Sequence, residues 1–141
     1  MKKTIIKLFT ITLAASIFTS CEIGLGASVD IVGPTVSITD PAPRENVMET
    51  FDISGTVYDD TDVETLTVTC GGNEWRNTRG KWSVKKEGAS DFTADNTSEW
   101  KVQDDGKSFT WKVRNVDFKM KDDGDYDIVV SAVDSSGNTY G

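Results

Sequence analysis

The chain has no histidine, and only two cysteines and three prolines among 141 residues. The first absence removes the commonest general base and the commonest neutral metal ligand together. Two cysteines cannot build a disulfide framework or a four-thiolate zinc site. Basic residues are also scarce: 15 Lys and Arg stand against 23 Asp and Glu, for a formal charge of −8. A nucleic-acid backbone calls for the opposite balance, so no nucleic-acid partner is expected. No apolar run reaches the about 20 residues of a membrane-spanning helix. There is no Gly-x-Ser-x-Gly elbow and no Gly-rich phosphate loop, so no enzyme and no required cofactor are expected. What is present, 27% charged and 37% hydrophobic residues, suits an ordinary folded chain of one domain, two at most.

The N-terminus is set apart from the rest. Lys2, Lys3 and Lys7 come without any acid, Leu8 to Phe18 is apolar, and Thr19-Ser20 leads to Cys21. A charged start, a short apolar middle and small residues before a cut make a cleaved signal peptide over residues 1–20. Phe18-Thr19-Ser20-Cys21 resembles the bacterial lipobox, with Phe18 where Leu is usual. Such relaxed lipoboxes are a trait of spirochaete lipoproteins, and Gly24-Leu25-Gly26 followed by Val29-Asp30 resembles the start of some of them. The resemblance implies cleavage before Cys21, lipid on its thiol, and export to the cell envelope, with the outer membrane as the expected site. The alternative is an ordinary signal-peptidase cut near Cys21. Several acyl chains on one Cys anchor a protein stably, whereas one short chain holds it marginally. Residues 21–33 then form the lipidated N-terminus and tether, broken at Gly33-Pro34, and 34–141 the folded domain.

From Thr35 onward the apolar period is two. Val36 and Ile38 alternate with polar neighbours, as do Phe51, Ile53 and Val57, then Leu66, Val68 and Cys70. Trp100 with Val102, then Phe109, Trp111 and Val113, then Tyr126, Ile128, Val130 and Ala132 continue the pattern. Turn-forming stretches separate them, among them Asp40-Pro41, Asp59 to Asp62, Gly71-Gly72-Asn73 and Asp134 to Asn138. Asn77 to Gly80 reads as a four-residue hairpin loop between Trp75 and Trp82, and Asp117 to Gly124 as an acidic corner. Short strands with turns between them argue for an all-β chain: two antiparallel sheets packed face to face. The expected core is Val36, Ile38, Phe51, Ile53, Val57, Leu66, Val68, Phe109, Trp111, Tyr126, Ile128 and Val130, with Cys70 as a small core residue. Pairing of Cys70 with Cys21 is the alternative, which a lipid on Cys21 would forbid.

Three segments resemble the bacterial Ig-like domain. They are Val36-Ser37-Ile38-Thr39-Asp40-Pro41, Ile53-Ser54-Gly55-Thr56-Val57 with Asp59-Asp60, and Gly124-Asp125-Tyr126 through Gly137-Asn138-Thr139. The resemblance implies an Ig-like antiparallel β-sandwich, with Tyr126 in the place of a tyrosine corner and Ile128 where antibody domains carry a bridging Cys. Thr139-Tyr140-Gly141 is short for a last strand, so that strand is expected truncated, leaving an edge open to another chain unless Ile23 to Val32 covers it.

Two ligand constellations follow. The loops after the second and sixth strands meet at one end of such a sandwich, bringing together Asp59, Asp60, Asp62, Asp134 and Asn138, with Asp30 close by. Oxygen donors from three segments suit calcium. Trp75 and Trp82, if facing each other on the outer side, would make an aromatic platform for a sugar or a protein. Inward, they are core. The expected function is a lipid-anchored, non-catalytic binding, adhesive or spacer module, held to the membrane through Cys21 and meeting a protein or glycan partner. The alternative is an accessory carbohydrate-binding domain of a longer secreted enzyme.

Overall fold

A computed structural model describes residues 30–117 and 124–140. The expected signal peptide, Cys21, the tether up to Val29, the 118–123 part of the acidic corner and Gly141 lie outside the described residues. The strands, in chain order, are β1 (Thr35–Asp40), β2 (Thr50–Tyr58), β3 (Val63–Cys70), β4 (Asn73–Thr78), β5 (Lys81–Lys85), β6 (Thr93–Ala94), β7 (Glu99–Val102), β8 (Ser108–Asp117), β9 (Ile128–Asp134) and β10 (Thr139–Tyr140). There is no helix among the described residues. One sheet runs β1-β2-β8-β7 and the other β10-β9-β3-β4-β5-β6, with every pairing antiparallel. The all-β sandwich expected from the alternation is therefore the fold.

Side chains alternate across each strand, so one set from each sheet turns inward. Ile53 and Val57 of β2 and Phe109, Trp111 and Val113 of β8 meet Leu66 and Val68 of β3, Trp75 of β4, Trp82 of β5 and Ala132 of β9. Each large apolar side chain so buried contributes roughly 1.5–3 kcal/mol, against the entropy of ordering the chain. Gly55 sits opposite Trp111 in the β2–β8 ladder, and a Cβ there would collide with the Trp111 ring and the Ser37 carbonyl. The glycine is thus the space that the tryptophan needs. Further along the same ladder, Arg114 and Asn115 together face Asp52, and the Asp52 carboxylate accepts the Asn115 N–H at 3.1 Å. That bond satisfies a donor which the extra residue would otherwise leave without a ladder partner.

Part of the expected core and the expected hairpin loop need correction. Ile38 and Tyr126 are partly exposed instead of buried, while Val36, Phe51 and Ile128 are half-buried and pack on the core margin. The cause is position: β1 is an edge strand and β9 begins at Ile128, so no neighbouring strand covers that flank. The hairpin loop has two residues, not four, because Thr78 pairs with Lys81. Arg79 and Gly80 both take positive φ (50° and 84°), the left-handed turn that matches strand twist. Between Lys85 and Glu99, Thr93–Ala94 adds an edge strand to β5. Ile31 and Val32 stand exposed, Gly33 lies against the Thr139 backbone, and Ile23 to Val29 fall outside the described residues. Cys70 is buried, as a small core residue.

On the outer face of the smaller sheet, Glu99 of β7 accepts hydrogen bonds from Lys101 Nζ (2.8 Å) and from Arg114 Nε of β8 (3.0 Å). Arg114 also reaches Asp52 of β2, at 3.6 Å. Lys101 first and Arg114 next hold the Glu99 carboxyl at about 2, well below its ordinary range. A depressed carboxyl pKa stabilises the fold above the unfolded value of about 4.3, and that contribution fades as pH falls toward 2. Exposure keeps the effect small. The thermal midpoint is therefore expected to fall on acidification through this window, and more shallowly in Glu99→Gln. Superimposable acid profiles of the two proteins would contradict the assignment.

Candidate functional site

Strand β2 ends at Tyr58, and residues 59–62 cross from one sheet to the other to begin β3. Asp59 starts this crossing. Its Oδ1 accepts the N–H groups of Thr61 (2.9 Å) and Asp62 (3.0 Å), which folds the loop onto its own carboxylate. Asp134 does the same after β9. Its Oδ1 accepts Ser136 N–H and Asn138 N–H, both at 2.8 Å, and its Oδ2 accepts the Asn138 side-chain amide at 2.8 Å. The Ser135 N–H donates to the Asp62 carbonyl at 3.2 Å and draws the two loops together.

The stretch before β1 closes the arrangement. Asn138 Nδ2 donates to the Asp30 carbonyl at 3.0 Å, and the Thr61 hydroxyl donates to Asp30 Oδ2 and to Asp59 Oδ1. One carboxylate oxygen each from Asp30, Asp59 and Asp134 then lies within 4.8 Å of the others. Asp59 is 3% exposed and Asp134 0%. Burial opposes ionisation of Asp134, but the bonds from Asn138, Ser136 and Gly137 outweigh it, so its pKa lies below the ordinary carboxylate value. Three hard oxygen donors are right in kind for a calcium ion. They supply half or fewer of the six to eight oxygens it takes, so carbonyls and water would have to complete the shell.

The expected set is brought together only in part. Asp30, Asp59 and Asp134 converge, and Asn138 is bonded to two of them. Asp60 does not join. It accepts the Tyr58 hydroxyl at 2.7 Å and Lys107 Nζ at 2.9 Å, and the bond from Tyr58, then that from Lys107, lowers its pKa. Asp62 contributes only backbone and its side chain is exposed. Loop residues on either side of a turn carboxylate project away from it, so a run of acids in sequence does not become a cluster in space. Thr61, which joins Asp59 to Asp30, was missed. The Asp-x-Thr spacing was its signal, because the same spacing recurs at Asp95 and Thr97, where the carboxylate again accepts the N–H two residues on at 2.9 Å.

The aromatic platform is not formed. Trp75 is 1% exposed and Trp82 6%, and they are not cross-strand partners: Trp75 faces Val84, and Trp82 faces Asn77. The two-residue turn sets that register, and both indoles lie on the face turned toward the other sheet. Their burial removes the feature on which the carbohydrate-binding alternative rested. Asn77 serves the turn, with Oδ1 accepting the Gly80 N–H at 2.9 Å. Trp100 is half-buried and stacks on Phe109, with ring centroids 4.9 Å apart.

Asp134→Ala would leave two backbone N–H groups and the Asn138 amide without their acceptor. Its expected cost is about 1–3 kcal/mol, read as a lower urea midpoint, with Asp134→Asn retaining part of the loss. A midpoint equal to that of the parent protein would show that these bonds are replaced by water at no cost.

No curated protein and no solved structure matches the chain. The family described as bacterial Ig domain matches residues 34–130, from the residue before β1 into β9. With that span, two antiparallel sheets and the strand order above, the chain belongs to the bacterial Ig domain family.

Proposed function

We propose that this chain is an exported, lipid-anchored module of the bacterial envelope, with no chemistry of its own, acting as a binding, adhesive or spacer element. The observation that carries this reading is Phe18-Thr19-Ser20-Cys21 behind a charged start and an apolar run, joined to a member of a family whose domains are typically non-catalytic. Asp30 enters at the carboxylate end of the sandwich, nine residues after Cys21. Those residues reach at most about 30 Å even when fully extended. In this reading the link from the anchor reaches the sandwich at its carboxylate end. An acidic body avoids anionic headgroups, so lipid and not charge does the holding.

Mass spectrometry of the mature N-terminus tests this reading directly. Cleavage before Cys21 with added acyl mass is expected, and Cys21→Ala should move the protein from the membrane fraction to the soluble one. A purified product that keeps Met1 would end the proposal.

The convergence of Asp30, Asp59 and Asp134 favours one further element, a calcium ion that ties the tether to both loops. A ligand that binds only the folded state stabilises it by about 2.7 kcal/mol at a hundredfold excess over its dissociation constant. The melting midpoint is expected to rise with calcium, fall back with EDTA, and lose the response in Asp59→Asn. An unmoved midpoint would remove calcium and leave the anchor untouched.

A further inference from the structure

The four-stranded sheet has a polar outer face. Its inward residues are Ile53, Val57, Phe109, Trp111 and Val113, so the alternate positions turn the other way. The register sets these in two rows across the strands. Ser37 of β1, Thr56 of β2, Thr110 of β8 and Lys101 of β7 form one, and Ser54, Lys112 and Glu99 form the other. At the ordinary spacing of neighbouring strands, the first row is about 14 Å long. A groove of ≈ 420 Å³ lies over these rows, and Thr39 and Arg114 join its lining.

The charges of this face are matched except for one. Lys101 Nζ lies 2.8 Å from Glu99, and Arg114 reaches both Glu99 and Asp52. Both acids are thus engaged by other cations, although Glu99 stands directly across from Lys112 in the ladder. Lys85, Lys112 and Arg114 are the half-buried cations among the described residues, and Lys112 is the one of them without an ion pair. Its ammonium gives the groove a surplus positive charge on a chain of formal charge −8. Residues 118–123 do not alter that balance, since Lys119 and Lys121 offset Asp122 and Asp123. The hydroxyls have capacity left as well. Ser37 and Thr56 share one hydrogen bond at 2.8 Å, and Thr110 accepts Gln103 Nε2 at 3.2 Å, which leaves the Thr110 O–H to donate.

We infer that this groove binds an acidic polysaccharide, with sugar hydroxyls on the Ser and Thr rows and a sugar carboxylate on Lys112. Ser and Thr hydroxyls donate and accept, as sugar hydroxyls do, so each can bond either kind of group. The carboxylate supplies the counter-charge that Asp52 and Glu99, already engaged, do not. Gly55 and Trp111, which complete the lining, belong to the inward set, so the outward side chains of the groove are all polar. A peptide docked here would find no pocket for an apolar anchor, the feature that dominates protein recognition. The inference rests on the binding role proposed above and gives it a ligand class, but its test reads the sandwich alone. A negative result here leaves the N-terminal mass measurement standing, and the converse also holds.

The probe is a fluorescent hexasaccharide of galacturonic acid, with the neutral galactose hexasaccharide beside it, each added to the purified protein. Saturable binding of the acidic sugar near about 100 µM is expected by anisotropy. The neutral sugar should bind about fivefold more weakly, and added salt should narrow the gap. Lys112→Met, which keeps the apolar stem and removes the charge, should bring the two sugars to the same weak binding, and Lys112→Arg should keep the preference. Thr56→Val with Thr110→Val should weaken both sugars alike. A Glu hexapeptide, which brings charge without hydroxyls, should not saturate the site. Equal binding of the two sugars by the parent protein, a preference that survives in Lys112→Met, or no saturation would each overturn the proposal. So would a Glu hexapeptide that binds as tightly as the acidic sugar, since the face would then select negative charge alone.

Discussion

A slip of one residue in any strand pair would turn a whole inward row out to solvent, and the rest of this structure depends on that being prohibitive. Trp111, Trp75 and Leu66 lie on three different strands and in both sheets, and all are buried in one core. The register that places them is held at identifiable points. Gly55 makes room for the Trp111 ring, the Arg79–Gly80 turn sets β4 against β5, and Asp52 accepts the Asn115 N–H where β8 carries its extra residue. Cys70 is one of the small buried side chains between the sheets, and Ile128 packs on the margin of the same core. Apolar packing does the joining.

The acidity of the chain has a structural use. Asp59, Asp95, Asp105 and Asp134 each accept a main-chain N–H two residues further on, at 2.8–2.9 Å. A carboxylate does this better than a neutral side chain, because hydrogen bonds to an ion are the stronger kind. Turn formation thus explains each of these residues singly. Convergence sets one group apart, since Asp59 and Asp134 close loops from different strands and Asp30 is clasped between them by Thr61 and Asn138. The Asp30 segment is thereby fastened to the sandwich at the end where β2 and β9 finish.

Much of the fold was legible because alternation is a local property. Ile53, Val57, Leu66, Val68, Phe109, Trp111 and Val130 were expected in the core from period two alone, and all are buried. Ile38 and Tyr126 follow the same period and are partly exposed, because alternation reports which face a residue is on and not whether the sheet extends over it. The site was legible in part. Two loops of acids at one end of a sandwich could be named from strand order, yet Asp60 and Asp62 project elsewhere. Side-chain direction within a turn depends on which carboxylate captures the backbone.

The sequence by itself determined that this body is two layers of antiparallel strands, since a period of two with turn-forming breaks admits no other economical burial of its apolar residues. It also contained the resemblance to the bacterial Ig domain in its first, second and last motifs. Only the tertiary structure decided that Trp75 and Trp82 belong to the core, because which face of a strand is covered depends on where the second sheet packs. Only it gathered Asp30, Asp59 and Asp134, which lie up to 104 positions apart (30 to 134) and meet because β2 and β9 end at the same pole of the sandwich. Distances of that kind are set by how sheets stack and where they stop, and no local run of residues encodes them.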